Sequence, residues 1–284
     1  MIVDTETKMI EPFASGDEVH AIVPVPGTDV IVTTNSGDAS AKIISAEDGA
    51  ILASIPTPKD PDGATFDPST GDVVVVNGDV GQLTLISPKS RKIVGFVHVG
   101  GRLEFPAVDG RGRVYVNITN RNQVAVVNLA TRKVIGRYPL PDCQGPTGLG
   151  YVQPDRLISV CFNGRLDILR AGTGKPIGSF RIGAFPDAVL IDPVHRLAFV
   201  PSAVSGKLAV IALQGSHNDS IVCSVHTQIG TRTGAINPAT GEIWLPAARF
   251  KHYEQTLMRT GHHPPMLPGT FAVLELKVSP RTPD

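Results

Sequence analysis

The segment Asp62-Gly-Ala-Thr-Phe-Asp67-Pro-Ser-Thr-Gly-Asp72-Val-Val-Val-Val76 places a turn between two stretches that favour strands. Asp-Pro and Thr-Gly mark the turn, and the run of valines after it has the β-branched composition of a strand. The same order of features returns at 104–116, 186–200 and 232–245, with weaker copies at 20–32 and 146–158. The chain is therefore predicted to repeat one small β unit.

The spacing of the copies indicates what the unit is. The turn positions are 42, 42, 44, 39 and 45 residues apart, at Val25, Asp67, Asp109, Gln153, Asp192 and Asn237. Each copy continues with a third and a fourth apolar run, as at 82–86 and 92–97. Four strands in about 42 residues are typical of a β-propeller blade. We therefore predict an all-β fold, with residues 1–284 as a single β-propeller domain.

The two ends of the chain bear on the number of blades. Residues 1–4 and 9–13 match the third and fourth strands of a blade whose first two strands are missing, and the last copy has three strands. We expect seven blades with an incomplete first one, in a chain shortened by roughly 35 to 45 residues, one blade's length. The alternative is a six-bladed ring that residues 9–13 close directly.

Composition excludes several classes of protein. Lys plus Arg and Asp plus Glu are 26 each, so the formal charge is zero and no global attraction to nucleic acid or anionic membrane is expected. No apolar run approaches the ~18 residues of a membrane-spanning helix. The first ten residues lack the pattern of a signal peptide. The sequence also contains no nucleophile elbow, P-loop, zincin motif or dinucleotide fingerprint.

Several short motifs resemble those of a known family. They are Tyr115-Val-Asn117 after Asp109-Gly-Arg-Gly112, Glu104-Phe105, Ala130-Thr-Arg-Lys133, Pro141-Asp-Cys143-Gln-Gly-Pro146-Thr-Gly148, Leu245-Pro-Ala-Ala-Arg-Phe250 and Leu267-Pro-Gly269. On these residues the chain resembles the bacterial YncE-like β-propellers with YVTN-type repeats. The resemblance implies a propeller that is usually seven-bladed and commonly exported, hence a periplasmic or secreted location. It implies no particular function, because propellers host many chemistries.

The repeat nominates one candidate site residue in each blade. The first strand of a propeller blade lines the central channel, and its starting residues meet at one mouth. These first-strand residues are Glu18 or His20, Asp62, Glu104, Thr147, Asp187 and Arg232. We expect Glu104 and Asp187 to be able to hold a divalent cation such as calcium, and Arg232 to bind a carboxylate or phosphate. His20 and Asp62 are candidate catalytic bases. The alternative is that these groups pair with one another, for instance Arg232 with Asp187 or Glu104.

Two asparagines complete the predicted ligand-binding set. Asn77 and Asn117 lie at or near the ends of second strands, close to the same rim, and could contribute amide ligands. Their alternative role is in turns, whose backbone conformations asparagine tolerates.

The three cysteines and one long loop give further predictions. Cys143 and Cys161 flank a predicted hairpin and can form a disulfide, or remain two reduced thiols. Cys223 is expected to be a small buried apolar residue. Residues 249–268 form a long insertion in the last blade, which would be a lid over the channel mouth, a metal site at His262 and His263, a nucleic-acid contact through basic residues and Tyr253, or a packed surface loop.

Three functions follow, in decreasing order of preference. The first is a non-catalytic binding or scaffold propeller of the cell envelope, a monomer that holds a small molecule or protein at the channel mouth. The second is a metal-assisted hydrolase of the lactonase type, with Glu104 and Asp187 as metal ligands. The third is a weak binder of single-stranded nucleic acid, which the zero net charge disfavours.

Overall fold

The structure is a computed structural model, and it describes residues 2–214, 219–237, 239–251, 253 and 265–278. These residues form β-strands and one short 3-10 helix, Thr119–Arg121. Among them no helix is long and apolar enough to cross a membrane. The chain divides into two compact units, Met1–Arg137 and Tyr138–Asp284.

The first unit holds a short hairpin and three four-stranded antiparallel sheets, which we call blades 1 to 3. The hairpin is β1 (Ile2–Val3) and β2 (Ile10–Glu11). Blade 1 is β3 (Val19–Pro24), β4 (Val30–Asn35), β5 (Ser40–Ser45) and β6 (Ile51–Pro56); blade 2 is β7 (Pro61–Asp67), β8 (Asp72–Asn77), β9 (Gln82–Ser87) and β10 (Lys92–His98); blade 3 is β11 (Leu103–Val108), β12 (Arg113–Ile118), β13 (Gln123–Asn128) and β14 (Lys133–Pro139), whose last residues belong to the second unit.

The second unit holds blades 4 to 6, of which the last has three strands among the described residues. Blade 4 is β15 (Pro146–Val152), β16 (Arg156–Cys161), β17 (Arg165–Arg170) and β18 (Pro176–Arg181); blade 5 is β19 (Leu190–Asp192), β20 (Leu197–Ser202), β21 (Lys207–Ala212) and β22 (Ser220–His226); blade 6 is β23 (Ala235–Asn237), β24 (Glu242–Ala247) and β25 (Ala272–Lys277).

These sheets confirm an all-β fold of the β-propeller type, with six blades. The expected seventh blade is wrong, because β1 and β2 pair only with each other in a separate two-stranded sheet among the residues the structure describes. The number of blades is the one that the six-bladed alternative gave. Two strands of two residues each bury too little apolar surface to form a blade.

The turn between the first and second strands explains why Asp or Asn recurs in the repeat. Asp67 is fully buried, and its Oδ2 accepts hydrogen bonds from the Thr70 backbone N–H at 3.0 Å and the Ser69 hydroxyl at 2.6 Å. Asp192 likewise accepts the backbone N–H groups of Val194 and His195 through Oδ1. A short side chain with an oxygen acceptor closes this turn, which is the reason for the residue type.

Each unit is held by apolar side chains between successive blades. In the first unit, one cluster between blades 1 and 2 includes Val32, Ile43 and Val75. A second cluster lies between blades 2 and 3. In the second unit, the corresponding clusters lie between blades 4 and 5 and between blades 5 and 6. Residues 73–76 form a continuous β-branched run that is buried on both faces, because blade 2 lies between blades 1 and 3.

Candidate functional site

First strands of consecutive blades contact each other within each unit, which brings their starting residues together. In the first unit β3 contacts β7, and β7 contacts β11. In the second unit β15 contacts β19, and β19 contacts β23. Within each unit, the first-strand residues of one blade therefore lie close to the first-strand residues of the next blade, as the repeat predicts.

In the first unit, His20 and Asp62 form a pair. His20 Nδ1 lies 3.0 Å from Asp62 Oδ1, and both side chains are partly exposed. Thr34 holds the two strands at this point, because its hydroxyl accepts the Ala21 N–H at 2.9 Å and donates to the Asp62 carbonyl at 2.6 Å. A histidine that a carboxylate orients is an arrangement found in general bases and also in structural pairs.

Two further carboxylates lie beside this pair. The Asp79 backbone N–H donates to Asp60 Oδ2 at 3.1 Å. Burial raises the pKa of Asp60, the negative charges of Asp62 and Asp79 raise it further, and Arg102 opposes them. Sequence reasoning missed Asp60 and Asp79 because the repeat nominated only first-strand residues. The run Asp60-Pro-Asp62 was the available signal.

Glu104 lies in β11 and is half-buried. It belongs to the first unit, whereas Asp187, its predicted partner in a metal site, belongs to the second. In the part of the chain that the structure describes, no group of three or more His, Cys, Asp or Glu side chains is arranged to hold a metal ion. The calcium site at Glu104 and Asp187 stays a prediction.

The two asparagines proposed as ligands are fully buried. Asn77 ends β8, where its Nδ2 donates to the Pro58 carbonyl at 2.6 Å and its Oδ1 accepts the Thr84 hydroxyl at 2.6 Å. These hydrogen bonds hold the segment before β7 against β8 and β9. They agree with the structural role in a turn that was the alternative to ligand binding. Asn117 lies in β12.

In the second unit, Thr147 is also structural. It is buried, and its hydroxyl lies 2.7 Å from the Pro186 carbonyl and 3.3 Å from the Val160 carbonyl. This contact fixes the segment that leads into β19, and with it the position of Asp187.

Arg232 and Asp187 form an ion pair, with Arg232 Nε 3.4 Å from Asp187 Oδ2. About a third of the Arg232 side chain is exposed, and less of Asp187. The ion pair between Arg232 and Asp187, which the sequence analysis gave as the alternative to ligand binding, is therefore present.

Tyr253 lies near this ion pair. Burial raises the pKa of Tyr253, while the positive charge of Arg232 opposes the rise and the negative charge of Asp187 adds to it. The Tyr253 ring packs on Phe250 with ring centroids 5.0 Å apart. The start of the 249–268 insertion thus carries an aromatic side chain to the first-strand residues of blades 5 and 6.

The base of that insertion is ordered by backbone pairing. Phe250 and Met266 form an antiparallel bridge, and the Leu267 N–H donates to the Arg249 carbonyl at 2.8 Å. His262 and His263, the proposed metal pair, lie outside the described residues, as do His252 and Arg259. The metal and nucleic-acid interpretations of this loop stay predictions.

The cysteines divide as follows. Cys143 and Cys161 form a disulfide, with Cα atoms 5.5 Å apart, as the predicted hairpin allowed. The expectation that Cys223 is buried is wrong, since its thiol is free and exposed. Cys223 lies in β22, the outermost strand of its blade, and no further strand covers that strand in the described part of the chain.

A cavity of about 260 Å³ lies at the outer strands of blade 4. Leu140, Arg165, Asp167 and Ile177 are among its lining residues. Its charged groups already form ion pairs with one another, because Arg165 pairs with Asp167 at 2.8 Å and with Asp142 at 3.1 Å.

We place the candidate site not at this cavity but at Arg232, Asp187 and Tyr253.

Comparisons of the chain with protein-family models and with curated protein sequences find no match. The resemblance to YncE-like propellers stays a prediction.

Proposed function

We propose that this protein is a non-catalytic binding propeller of the cell envelope, which holds an anionic group of a small molecule or protein at Arg232 and Tyr253. The observation that carries the proposal is the partly exposed Arg232 guanidinium, held 3.4 Å from Asp187, with the half-buried side chain of Tyr253 near it. The chemical class of the ligand is a carboxylate or a phosphate.

The charges and donors at this point suit an anion. Arginine has five N–H donors in a planar fork, more than one carboxylate such as Asp187 accepts, so the guanidinium of Arg232 can also bind an anionic group of a ligand. Because the pKa of Tyr253 is raised above 10.0, its hydroxyl is protonated at neutral pH and can donate a hydrogen bond. Asp187 holds the guanidinium in place.

The cell-envelope location is supported by the cysteines. The Cys143–Cys161 disulfide suits an oxidising compartment, because cytosolic thiols are kept reduced. The family resemblance implies the same location.

Thermal unfolding with citrate, succinate and inorganic phosphate tests the anion site. A ligand that binds only the native state raises the melting temperature by mass action. We expect at least one of these anions to do so, and we expect Arg232→Met to abolish the shift. Tyr253→Phe should weaken binding by about tenfold, the effect of one hydrogen bond of about 1.4 kcal/mol. Arg170→Met is the matched control, since Arg170 is exposed and lies 3.9 Å from its acidic neighbour.

The proposal fails if none of the three anions raises the melting temperature. It also fails if Arg232→Met and Arg170→Met keep the same anion-induced shift, because the binding would then not involve Arg232.

A metal-assisted hydrolase is the second candidate, and the His20–Asp62 pair at 3.0 Å favours it. In that function His20 would accept a proton from water, Asp62 would orient the imidazole, and Glu104 would be a ligand of the metal. Lactone hydrolysis with added calcium, with EDTA as control, separates the two functions. The hydrolase predicts turnover that Glu104→Gln abolishes and Arg232→Met spares.

A further inference from the structure

The charges of this chain are unevenly distributed along the sequence, although their sum is zero. Residues 1–87 contain three Lys and Arg and 14 Asp and Glu, whereas residues 88–137 contain ten Lys and Arg and two Asp and Glu. An asymmetry of this size within one chain indicates a surface of one sign that contacts an oppositely charged partner. The zero net charge therefore does not describe the surface that a partner meets.

Seven of the ten cations in residues 88–137 lie at one end of blades 2 and 3, which we call the basic face. Strands alternate in direction within an antiparallel blade, so the turn after the first strand and the turn after the third strand lie at the same end. The basic face consists of the turns before β10, β12 and β14, each with the first residue of the strand that follows. Its cations are all exposed, and they are Lys89, Arg91, Lys92, Arg111, Arg113, Arg132 and Lys133.

The turns of the basic face contact one another or the neighbouring blade, so their cations share one surface. The Leu129 N–H donates to the Gly112 carbonyl at 2.9 Å, which joins the two turns of blade 3. A Cβ atom on Gly112 would lie 3.7 Å from the Ser69 hydroxyl, so this turn also lies against blade 2. The guanidinium of Arg132 packs on β10 of blade 2 at Gly95, where a Cβ atom would lie 2.6 Å from the guanidinium carbon.

The acidic side chains at this end of blades 2 and 3 do not neutralise the basic face. Asp67 is fully buried, and Asp109 accepts backbone N–H groups of its own turn. Burial and the negative charge of Asp67 raise the pKa of Asp72, and the positive charge of Arg132 opposes the rise. Seven cations less these three carboxylates leave a charge of +4. In the part of the chain that the structure describes, six of the cations form no ion pair: Lys89, Arg91, Lys92, Arg111, Arg132 and Lys133.

The rest of this sequence does not supply the missing negative charge. Blade 1 has exposed acidic residues at the same end, at Asp29, Glu47 and Asp48, and among the described residues none of them forms an ion pair with the basic face. The residues outside the described ranges include two acidic side chains, Glu254 and Asp284, fewer than the charge of +4 requires. The basic face therefore fits a negatively charged partner outside this sequence.

Two arginines of the basic face occupy a backbone position that favours glycine. The fourth residue after the third strand has a positive φ in blades 1 to 4, at 75° in Gly49, 55° in Arg91, 54° in Arg132 and 71° in Gly174. Residues with a Cβ atom rarely adopt this conformation. Those that do are concentrated at functional positions, and blades 2 and 3 place a cation where the repeat accepts glycine.

We propose that the basic face binds the surface of a bilayer that contains anionic phospholipids. Lys and Arg both bind phosphate groups, and clusters of about four to eight of them hold proteins at anionic membrane surfaces. The cations come from three turns across two blades, so they form a face that several headgroups can meet at once.

Two observations favour a bilayer over nucleic acid. The segments 88–92, 109–113 and 129–133 contain no aromatic residue, so bases would find no side chain to stack on. The Cys143–Cys161 disulfide suits an oxidising compartment, which cytosolic nucleic acid does not share. The inference shares this cell-envelope location with the proposed function but does not involve Arg232, so each can fail without the other.

Cosedimentation of the whole chain with phospholipid vesicles tests the proposal. The vesicles contain one part phosphatidylglycerol to two parts phosphatidylcholine, and vesicles of phosphatidylcholine alone are the control surface. We expect saturable binding to the anionic vesicles alone at about 0.1 M salt, where charges are screened over about 10 Å. Raising the salt to about 0.5 M should weaken binding about tenfold or more, because the attraction is electrostatic.

Lys89→Gln/Lys133→Gln should weaken binding to the anionic vesicles about 25-fold, because each cation near an anionic surface contributes a factor of about five. Arg102→Gln/Arg121→Gln is the matched control, since both arginines are exposed and lie at the other end of the strands of blade 3. A six-residue strand such as β12 spans about 20 Å, or about two screening lengths, so the control should change the affinity by less than about twofold. A melting curve checks that each variant folds, and Arg232→Met should bind the vesicles as wild type does.

Four results of the vesicle experiment overturn the proposal. They are no binding to the anionic vesicles, equal binding to both kinds of vesicle, equal affinity at both salt concentrations, and equal weakening by the two double variants. A labelled single-stranded or duplex oligonucleotide is the remaining ligand. An oligonucleotide that displaces the chain from the anionic vesicles and whose binding Lys89→Gln/Lys133→Gln abolishes also overturns it, because the basic face would then belong to nucleic acid.

Discussion

The disulfide between Cys143 and Cys161 is predicted to stabilise the fold by about 3 kcal/mol. The two cysteines are 18 residues apart in sequence, and the chain-entropy relation for a closed loop of that length gives this value. Both side chains are buried, so replacing them with alanine also removes some packing. The double variant Cys143→Ala/Cys161→Ala should therefore lose at least as much stability as reduction of the wild type.

Urea unfolding of four samples measures this, namely wild type and double variant, each with and without reductant. Reduction of the wild type should lower the free energy of unfolding by about 3 kcal/mol, or the melting temperature by roughly 6 to 12 °C. The double variant should be insensitive to reductant, and its extra loss relative to reduced wild type is the packing contribution. Cys223→Ala is the control and should change stability by less than about 0.5 kcal/mol, because Cys223 is exposed.

Two results would refute the reasoning. Equal unfolding midpoints for oxidised and reduced wild type would show that the cross-link does not restrict the unfolded chain. Labelling of all three cysteines by a thiol reagent in denaturant without reductant would show that the disulfide does not form in the purified protein.

Two electrostatic predictions concern single residues. The pKa of Asp60 is raised above 3.8 by burial and by two acidic neighbours, so its protonated form stabilises the fold at low pH and this contribution is lost as the pH rises through the folded-state pKa. Asp60→Asn should therefore raise the free energy of unfolding at pH 7 by about 0.5 kcal/mol, and by less at pH 3, in urea titrations at both pH values. Asp219→Ala should cost about 3 kcal/mol by the same assay, because it leaves the buried guanidinium of Arg156, which lies 2.7 Å from both Asp219 oxygens, without its counter-charge. The control is Lys277, which is exposed and lies 3.5 Å from its acidic partner, and Lys277→Ala should lower the free energy of unfolding by less than about 1 kcal/mol. A similar loss of stability in both variants would contradict the argument from burial.

The repeat could be recognised in the sequence because each blade has the same residue types at its turns and strands. Asp67 and Asp192 each accept the backbone N–H of the residue three positions further on, so the residue type recurs at the blade period. The runs that follow them are apolar because the second and third strands are buried between blades. Strand order within a blade also follows from the sequence, since short turns join consecutive strands into antiparallel sheets.

The candidate site was only partly predictable. The first-strand positions identified His20, Asp62, Asp187 and Arg232, which the structure brings together in pairs. They gave no information on Tyr253, because a residue in a long insertion has no fixed place in the repeat.

By itself the sequence determined the all-β class, the blade period and the strand order, since each depends on contacts within one repeat of about 42 residues. Only the tertiary structure decided the number of blades, the burial of Asn77 and the exposure of Cys223. The physical reason is that these properties depend on contacts between a strand and the neighbouring blade, which the sequence of one repeat does not specify. Cys223 has the local sequence of a buried strand residue, yet among the described residues no strand of blade 6 packs over it.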